Sequence, residues 1–400
     1  MIKIDEIKVK NFKNIENATI KFDKYNLIVG SNNSGKSNLL MVFRFLNFII
    51  NDSIDIVKNS FEQEIPIVGY IKPYYFYKKD VLEIELKFSD NQKKLLYNYV
   101  IRIQWEEKDG YDFTSEIIKE SFSVKSFNKP GKASTIFLKI KDKITYGGNF
   151  ANNSFMDSGQ KHVSVVRILN PLPPKSNPYY AELSVLDYII KSQIYYFSNI
   201  GLNSIDIKER KDFYGRITSY DFIKEIKKIE NTPKFEILKS ILNKMLNISD
   251  LQIMERNEII ENSNNFFIVI TQFNHQKLFS GLSDGSILLI SLITKILTSE
   301  HSIFLIEEPE NSLHPKALVD LINFIKSFIN EKQFIIVTHS LTLLNTSNPN
   351  DVIIAELQEN GLSNITNIPN PKEISRRLKN SFSAFSDFVF FADKNEEEFE

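Results

Sequence analysis

The sequence predicts an α/β fold built on a parallel central sheet, and three stretches predict it. "YNLIVGSNNSGKSNLL" is a short apolar strand that runs into a glycine-bearing loop and then a helix-period run. "IFLIEEPENSLHP", residues 303–315, is an apolar strand that ends in two adjacent glutamates before a proline. "QFIIVTHS", roughly 25 residues later, is a further apolar run ending in polar residues. Continuous apolar strands suit a sheet buried on both faces, and open α/β sheets bind ligands at the carboxyl ends of their strands.

The first stretch carries the most specific chemistry. Gly30 to Ser37 fits G-x-x-x-x-G-K-[ST], and a strand before it with a helix after it turns a string match into a phosphate site. Gly30 and Gly35 let the backbone wrap, so that successive N–H groups point inward at phosphates. The candidate nucleotide-binding residues are therefore Gly30, Ser31, Asn32, Asn33, Ser34, Gly35, Lys36, Ser37 and Asn38. Lys36 reaches the β/γ oxygens, the Ser37 hydroxyl ligates Mg²⁺, and the following helix adds its positive dipole end. A chance glycine-rich turn is the alternative. Only 13 glycines occur in the chain, and the flanking elements agree with a site.

Upstream, "IKIDEIKVKNFKNIENATIKF" reads as a strand, a turn at Lys10 to Asn14 and a second strand around Ala18 to Phe22. Phe12 and Lys13 at that turn are read as a core ring and a solvated lysine, the other possibility being contact with a nucleotide base.

With a phosphate loop present, "IFLIEE" becomes a Walker B strand. Strand alternation sends Glu307 and Glu308 to opposite sides. Glu307 would hold Mg²⁺, directly or through water, and Glu308 would orient or deprotonate the attacking water. The bland alternative is a solvated strand end. Thr338 and His339 fall at the carboxyl end of the next strand, and His339 is read as a γ-phosphate sensor in preference to a capping or packing histidine. His314 belongs to a nearby loop and not to a ligand set.

"FSGLSDGSILLISLITKILTS" opens on small polar residues and continues as a helix apolar almost all round, hence buried or packed under a partner. Ser283, Asp284 and Gly285 make a natural cap and anion site at its start. Taken alone they are only a cap; their place shortly before the Walker B strand gives them weight.

Composition excludes much else. The 400 residues are 42% hydrophobic and 25% charged, with 49 basic and 50 acidic residues for a net charge of −1, so no global basic footprint for nucleic acid exists. No cysteine is present, which removes disulfides, zinc-thiolate sites and a catalytic thiol. The N-terminus has no signal-type apolar core, and the longest apolar runs fall far short of the ~18 residues of a membrane span. A cytoplasmic protein without membrane contact is expected.

The order of phosphate loop, long interruption, "LSDGS", "IFLIEEPENSLHP" and "VTHS" resembles the ABC-type ATPase head of the SMC, RecF and OLD group, in the AAA branch that carries E-E-P-E-x-x-L-H-P. The resemblance covers roughly residues 1–50 and 275–365. It implies a P-loop NTPase head with a mixed or parallel central sheet, an antiparallel β lobe and a helical insertion. It also implies two ATP molecules sandwiched between two heads. Leu282 to Ser286 would be the signature motif, with Ser283 and Gly285 meeting the γ-phosphate of the opposite subunit. Asn311 to His314 would cross the dimer interface, and His339 would be the switch histidine.

Residues 51–274 then form the insertion. It opens with strands "EIPIVGYIKPYYFYKK", "VLEIELKF" and "LLYNYVIRIQWEE" that suit an antiparallel lobe. "AELSVLDYIIKSQIYYFSNIG" reads as a helix and a strand returning to the main sheet, and "YDFIKEIKKIENTPKFEILKSILNKMLN" as helix broken at Thr232-Pro233, a lid or docking element. Past His339, "DVIIAELQENGLSNITNI" is a β-hairpin turning at Asn-Gly; residues 366–400 hold a helix near 372–380 and an acidic tail, too short for a Toprim nuclease.

The expected protein is an ATPase that dimerises around ATP and Mg²⁺ and signals through a separate effector, a toxin or nuclease, as stand-alone heads of antiphage defence modules do. A RecF-like repair ATPase that binds nucleic acid directly is the alternative. A transporter subunit is disfavoured, because the strand-rich insertion does not resemble a coupling domain.

Overall fold

The structure, a computed structural model, describes residues 1–51, 81–108, 112–128, 131–147, 161–175, 177, 179–190, 194–196, 225–255, 266–311, 313–380 and 384–390. The chain divides into two compact units, Met1–Ser192 with Glu331–Glu400, and Gln193–Asn330. The strands in chain order are β1 (Ile2–Phe12), β2 (Ile15–Lys21), β3 (Tyr25–Gly30), β4 (Val81–Asp90), β5 (Leu95–Lys108), β6 (Asp112–Ser126), β7 (Ser134–Ile140) and β8 (Lys143–Tyr146). They continue with β9 (Ile194–Tyr196), β10 (Ile248–Glu255), β11 (Phe266–Gln272), β12 (His275–Leu278), β13 (Ile303–Glu307), β14 (Gln333–Thr338), β15 (Val352–Leu357) and β16 (Ser363–Asn367).

The first unit holds an antiparallel sheet ordered β2-β1-β4-β5-β6-β7-β8. In β1 the buried residues are Ile4, Ile7, Val9 and Phe12. The three-residue step from Ile4 to Ile7 breaks the period of two because the pairing with β4 shifts between Ile4 and Glu6, which restores the apolar face after the bulge. Phe88, Tyr97, Phe122 and Phe137 carry a row of rings across β4 to β7, with centroids 5.0 Å apart for Phe88–Tyr97 and 6.2 Å for Phe122–Phe137. Fully buried Glu120 accepts hydrogen bonds from Tyr99 (3.0 Å), Ser164 (2.7 Å) and the Val165 N–H (2.8 Å), which ties helix Val165–Leu169 to the sheet. Burial pushes its pKa up. The expected strands of "VLEIELKF" and "LLYNYVIRIQWEE" are β4 and β5; "EIPIVGYIKPYYFYKK" lies outside the described residues.

The second sheet of this unit runs β16-β15-β3-β14, with β3 parallel to both β14 and β15 and β16 antiparallel at the edge. The parallel pairs are what the apolar runs predicted, and the antiparallel edge strand makes the sheet mixed, as the resemblance implied. Gln333 joins it to the antiparallel sheet: its Oε1 accepts from the Ile4 N–H, and its Nε2 donates to the Ile4 and Asp23 carbonyls, each over 2.8 Å. Asn367 does the same at Lys21, accepting from its N–H (2.9 Å) and donating to its carbonyl (2.8 Å). The β15–β16 hairpin turns at Asn360-Gly361, as expected. Only Gly361 has positive φ (+78°), so the loop is longer than the two-residue turn in which both residues are left-handed. Helix Pro371–Asn380 follows as expected, and helix Phe385–Phe390 after it was not anticipated. The acidic tail lies outside the described residues.

In the second unit β10, β11 and β12 form an antiparallel sheet, and β13 pairs in parallel with β9, the returning strand. The helical segment breaks at Thr232-Pro233 as predicted: Thr232 is the N-cap and Pro233 opens helix Pro233–Leu246, where a missing N–H costs nothing. Helix Asp284–Thr298 buries eleven residues, from Gly285 to Leu297, matching its all-round apolar sequence. Among the described residues no helix is long and apolar enough to cross a membrane.

Candidate functional site

All six residues of β3 are buried, and its last two pair outward on both sides, Val29 with Thr338 and Gly30 with Ala355. A Cβ on Gly30 would stand 2.0 Å from the Ala355 carbonyl oxygen, so only glycine lets the neighbouring backbone come this close. The loop then turns through left-handed Asn33 (φ +64°) and Gly35 (φ +91°) into helix Lys36–Asn51, whose ladder starts with the Leu39 N–H bonded to the Gly35 carbonyl at 3.0 Å. A Cβ on Gly35 would meet the Ser363 Oγ at 2.3 Å. Lys36 is 4% exposed and folds over its own loop, donating to the carbonyls of Gly30 (2.8 Å) and Ser31 (2.6 Å). Ser31, Asn32 and Asn33 are exposed, and Ser37 and Asn38 are half-buried at the helix start. Left-handed turns followed by a helix N-terminus make a concave, electropositive seat for an anion. These residues therefore fit the phosphates of a nucleotide.

The β1–β2 turn packs against this seat. Phe12 is core, as expected, with its ring 5.5 Å from that of Phe45. Lys13 is not solvated as the sequence reading had it. Its side chain is 8% exposed, its backbone is left-handed (φ +54°), and its Nζ lies 2.8 Å from the Met41 sulfur, because the turn is pressed onto helix Lys36–Asn51. Asn14 donates from Nδ2 to the Asn33 carbonyl (3.2 Å), accepts at Oδ1 from Asn38 (2.7 Å), and accepts the Ser363 N–H at its own carbonyl (2.8 Å). Sequence reasoning missed Asn14 and Ser363. Asn14 had one signal, its position beside the Phe12-Lys13 pair; Ser363 had none. On the other flank of β3, Thr338 is fully buried, its Oγ1 accepting the Ser340 N–H at 2.9 Å, and exposed His339 begins just past the end of β14.

The remaining predicted residues belong to the second unit. Glu307 ends β13 and is 8% exposed. Glu308 leaves the strand with φ +48°, so the two carboxylates are parted by a left-handed turn and not by the alternation the sequence suggested. The Asn311 side chain donates to Glu308 Oε2 over 2.7 Å. His314 caps helix Pro315–Ser327, its Nδ1 accepting from the Lys316 N–H, in keeping with a loop role. Ser283 caps helix Asp284–Thr298, its Oγ accepting from the Ser286 N–H at 3.4 Å; Ser283 is exposed and Gly285 buried. Glu225 bonds Lys228 (2.8 Å) and Lys295 of the same helix (3.4 Å). Burial raises its pKa, but Lys228, Thr298 and Lys295 outweigh burial and hold it down at about 2.

Among the described residues no group of three or more His, Asp or Glu side chains is arranged to hold a metal. Mg²⁺ that travels with a nucleotide needs only one or two protein oxygens, because phosphates and waters supply the rest. The Ser37 hydroxyl, half-buried at the helix start, is a donor of that kind.

Residues 25–345 match the protein-family model described as "AAA domain, putative AbiEii toxin, Type IV TA system". An "ATP/GTP phosphatase" of Helicobacter pylori (strain ATCC 700392 / 26695) is 33% identical over 113 residues, 22% of this chain, and the match spans 30% of that protein's length. Among solved structures, an SMC head bound to the C-terminal winged-helix domain of ScpA superposes with a TM-score of 0.53 at 13% identity, covering 92% of this chain and 99% of that one. The SMC head domain from Thermotoga maritima has a TM-score of 0.46 at 12% identity, with 92% and 99% covered. At 13% identity the likeness to the first of these is one of fold.

Proposed function

The chain belongs to the AAA-domain family whose model spans residues 25–345 and has the P-loop NTPase fold of an SMC-like, ABC-type head; on that footing we propose that it binds and hydrolyses ATP. The observation that carries the reading is the Gly30–Ser37 loop, set between a fully buried parallel strand and a helix N-terminus, with Lys36 folded over it. The loop N–H groups and Lys36 hold the phosphates. Ser37 and Glu307 would hold Mg²⁺, which when bound neutralises charge on the phosphates. Glu308 takes the proton of the attacking water, and His339 contacts the γ-phosphate.

Two copies close around two ATP molecules, Ser283 and Gly285 of each completing the other's site, with residues 311–314 crossing between them. ATP favours the closed pair and hydrolysis releases it, a two-state change that a partner can read. The partner in this proposal is a separate effector of an antiphage defence module in the cytoplasm; the toxin terms in the family's description support that context. Residues 1–50 and 275–365 make the head in this reading, 51–274 the insertion, and 366–400 a C-terminal appendage.

Titration with a fluorescent ATP analogue and Mg²⁺ tests the core of the proposal. Lys36→Ala is expected to weaken binding at least about tenfold. Unchanged binding would remove the phosphate site from Gly30–Ser37.

A further inference from the structure

Resting on the reading of Gly30–Ser37 as the phosphate site, we propose that Asn14 is a positioning residue that holds this loop in its binding shape and links it to the antiparallel sheet. One short amide is used at both ends: Nδ2 donates to the Asn33 carbonyl at 3.2 Å and Oδ1 accepts from Asn38 Nδ2 at 2.7 Å. An aspartate lacks the donor, and a serine lacks two separate polar atoms on one plane. The bonded carbonyl belongs to the residue where the loop turns left-handed, Asn33 at φ +64°. A peptide unit is planar, so its C=O and N–H turn together. Asn14 holds the Asn33 carbonyl, and the Ser31 carbonyl holds the Ser34 N–H at 3.3 Å on the other side of the same unit. That peptide cannot rotate without losing both bonds.

The link reaches further through the backbone. The Asn14 carbonyl accepts the Ser363 N–H at 2.8 Å, and Ser363 is the residue that a Cβ on Gly35 would strike. The β1–β2 turn, the loop and the start of β16 therefore meet at Asn14. Since β1 and β2 form one edge of the seven-stranded antiparallel sheet, a shift of that edge is carried to the Asn33 peptide.

The test uses the full chain and the same titration with the ATP analogue and Mg²⁺. Asn14→Ala is expected to lower affinity roughly tenfold, the loss falling on KM more than on kcat. Its melting temperature without nucleotide should stay near that of the parent, while the rise on adding nucleotide shrinks. In an Asn38→Ala background the same change should cost clearly less, because the bond between the two side chains is already gone. Asn14→Asp, of nearly equal size, keeps the acceptor for Asn38 and loses the donor to Asn33; it too should weaken binding, and it serves if the alanine variant does not fold. Unchanged affinity in a folded Asn14 variant, or full additivity with Asn38→Ala, overturns the proposal. If Lys36→Ala binds as tightly as the parent, the phosphate-site reading fails and this proposal falls with it; if Lys36→Ala loses binding while a folded Asn14 variant does not, the role of Asn14 alone fails.

Discussion

Asn311 donates its side-chain N–H to the Glu308 carboxylate over 2.7 Å, while the Asn311 backbone N–H bonds the Glu308 carbonyl at 3.1 Å. Glu308 stands at φ +48° directly before Pro309, a conformation that side chains avoid and that a following proline disfavours further. Such a residue persists only where its surroundings fix it, and the two bonds from Asn311 do so. The carboxylate is thus aimed by its own turn, separately from Glu307 on the strand.

Exchanging Glu308 for Gln keeps the length and an acceptor for Asn311 and removes only the charge. We expect Glu308→Gln to bind ATP and Mg²⁺ and to slow hydrolysis by about 10²–10⁴, the usual worth of a general base. Light scattering with ATP should then find a persistent dimer. Glu307→Gln should weaken Mg²⁺-dependent binding and trap no dimer. A dimer trapped by Glu307→Gln alone would exchange the two roles.

Ser283 is exposed at the start of helix Asp284–Thr298, so an arginine there meets little of its own chain. Ser283→Arg loses the cap, a cost of about 1 kcal/mol, and should keep nucleotide binding while abolishing hydrolysis. Mixed with Lys36→Ala, it should regain activity through one composite site per heterodimer. A verified heterodimer with no ATPase activity would argue against shared sites.

Gly35→Ala puts a Cβ 2.3 Å from the Ser363 Oγ at a φ of +91°. Thermal denaturation should reveal a loss of about 1–3 kcal/mol, with nucleotide binding lost as well. Adding Ser363→Gly removes the contacts with Ser363 but leaves Asn14 Oδ1 at 3.2 Å and the backbone strain, so stability should recover only in part. Complete recovery would mean that neither the φ angle nor the Asn14 contact carries a cost.

The Glu225 carboxyl has its folded pKa depressed to about 2 from an ordinary 4.5 by Lys228, Thr298 and Lys295, against the opposing effect of burial. A depressed folded pKa gives stability that is present above the unfolded value and is lost as pH falls through the folded one. Glu225→Gln should cost about 1–2 kcal/mol at neutral pH. Denaturation at successive pH values should find that difference narrowing from about pH 4.5 down to about 2. A difference that stays constant over this range would mean that the charge contributes nothing.

The sequence by itself determined the local units. An apolar strand, two spaced glycines and a helix-period run specify β3, its loop and helix Lys36–Asn51, because the required backbone shapes are encoded by neighbours in the chain. The same holds for the Asn360-Gly361 turn, the Thr232-Pro233 break and the helix that buries Gly285 to Leu297. What only the tertiary structure decided is where these units touch. Lys13 is buried because its turn is pressed against Met41 and its helix, which no pattern around Lys13 records. Gln333 bonds Ile4 across 329 positions, and the pairings of β15 with β3 and of β16 with β15 set the close approaches at Gly30 and Gly35. Glu308 shows the division within one motif. The residue types announced two carboxylates at a strand end, but the left-handed turn that parts them depends on bonds to Asn311 that form only once the following turn has folded back.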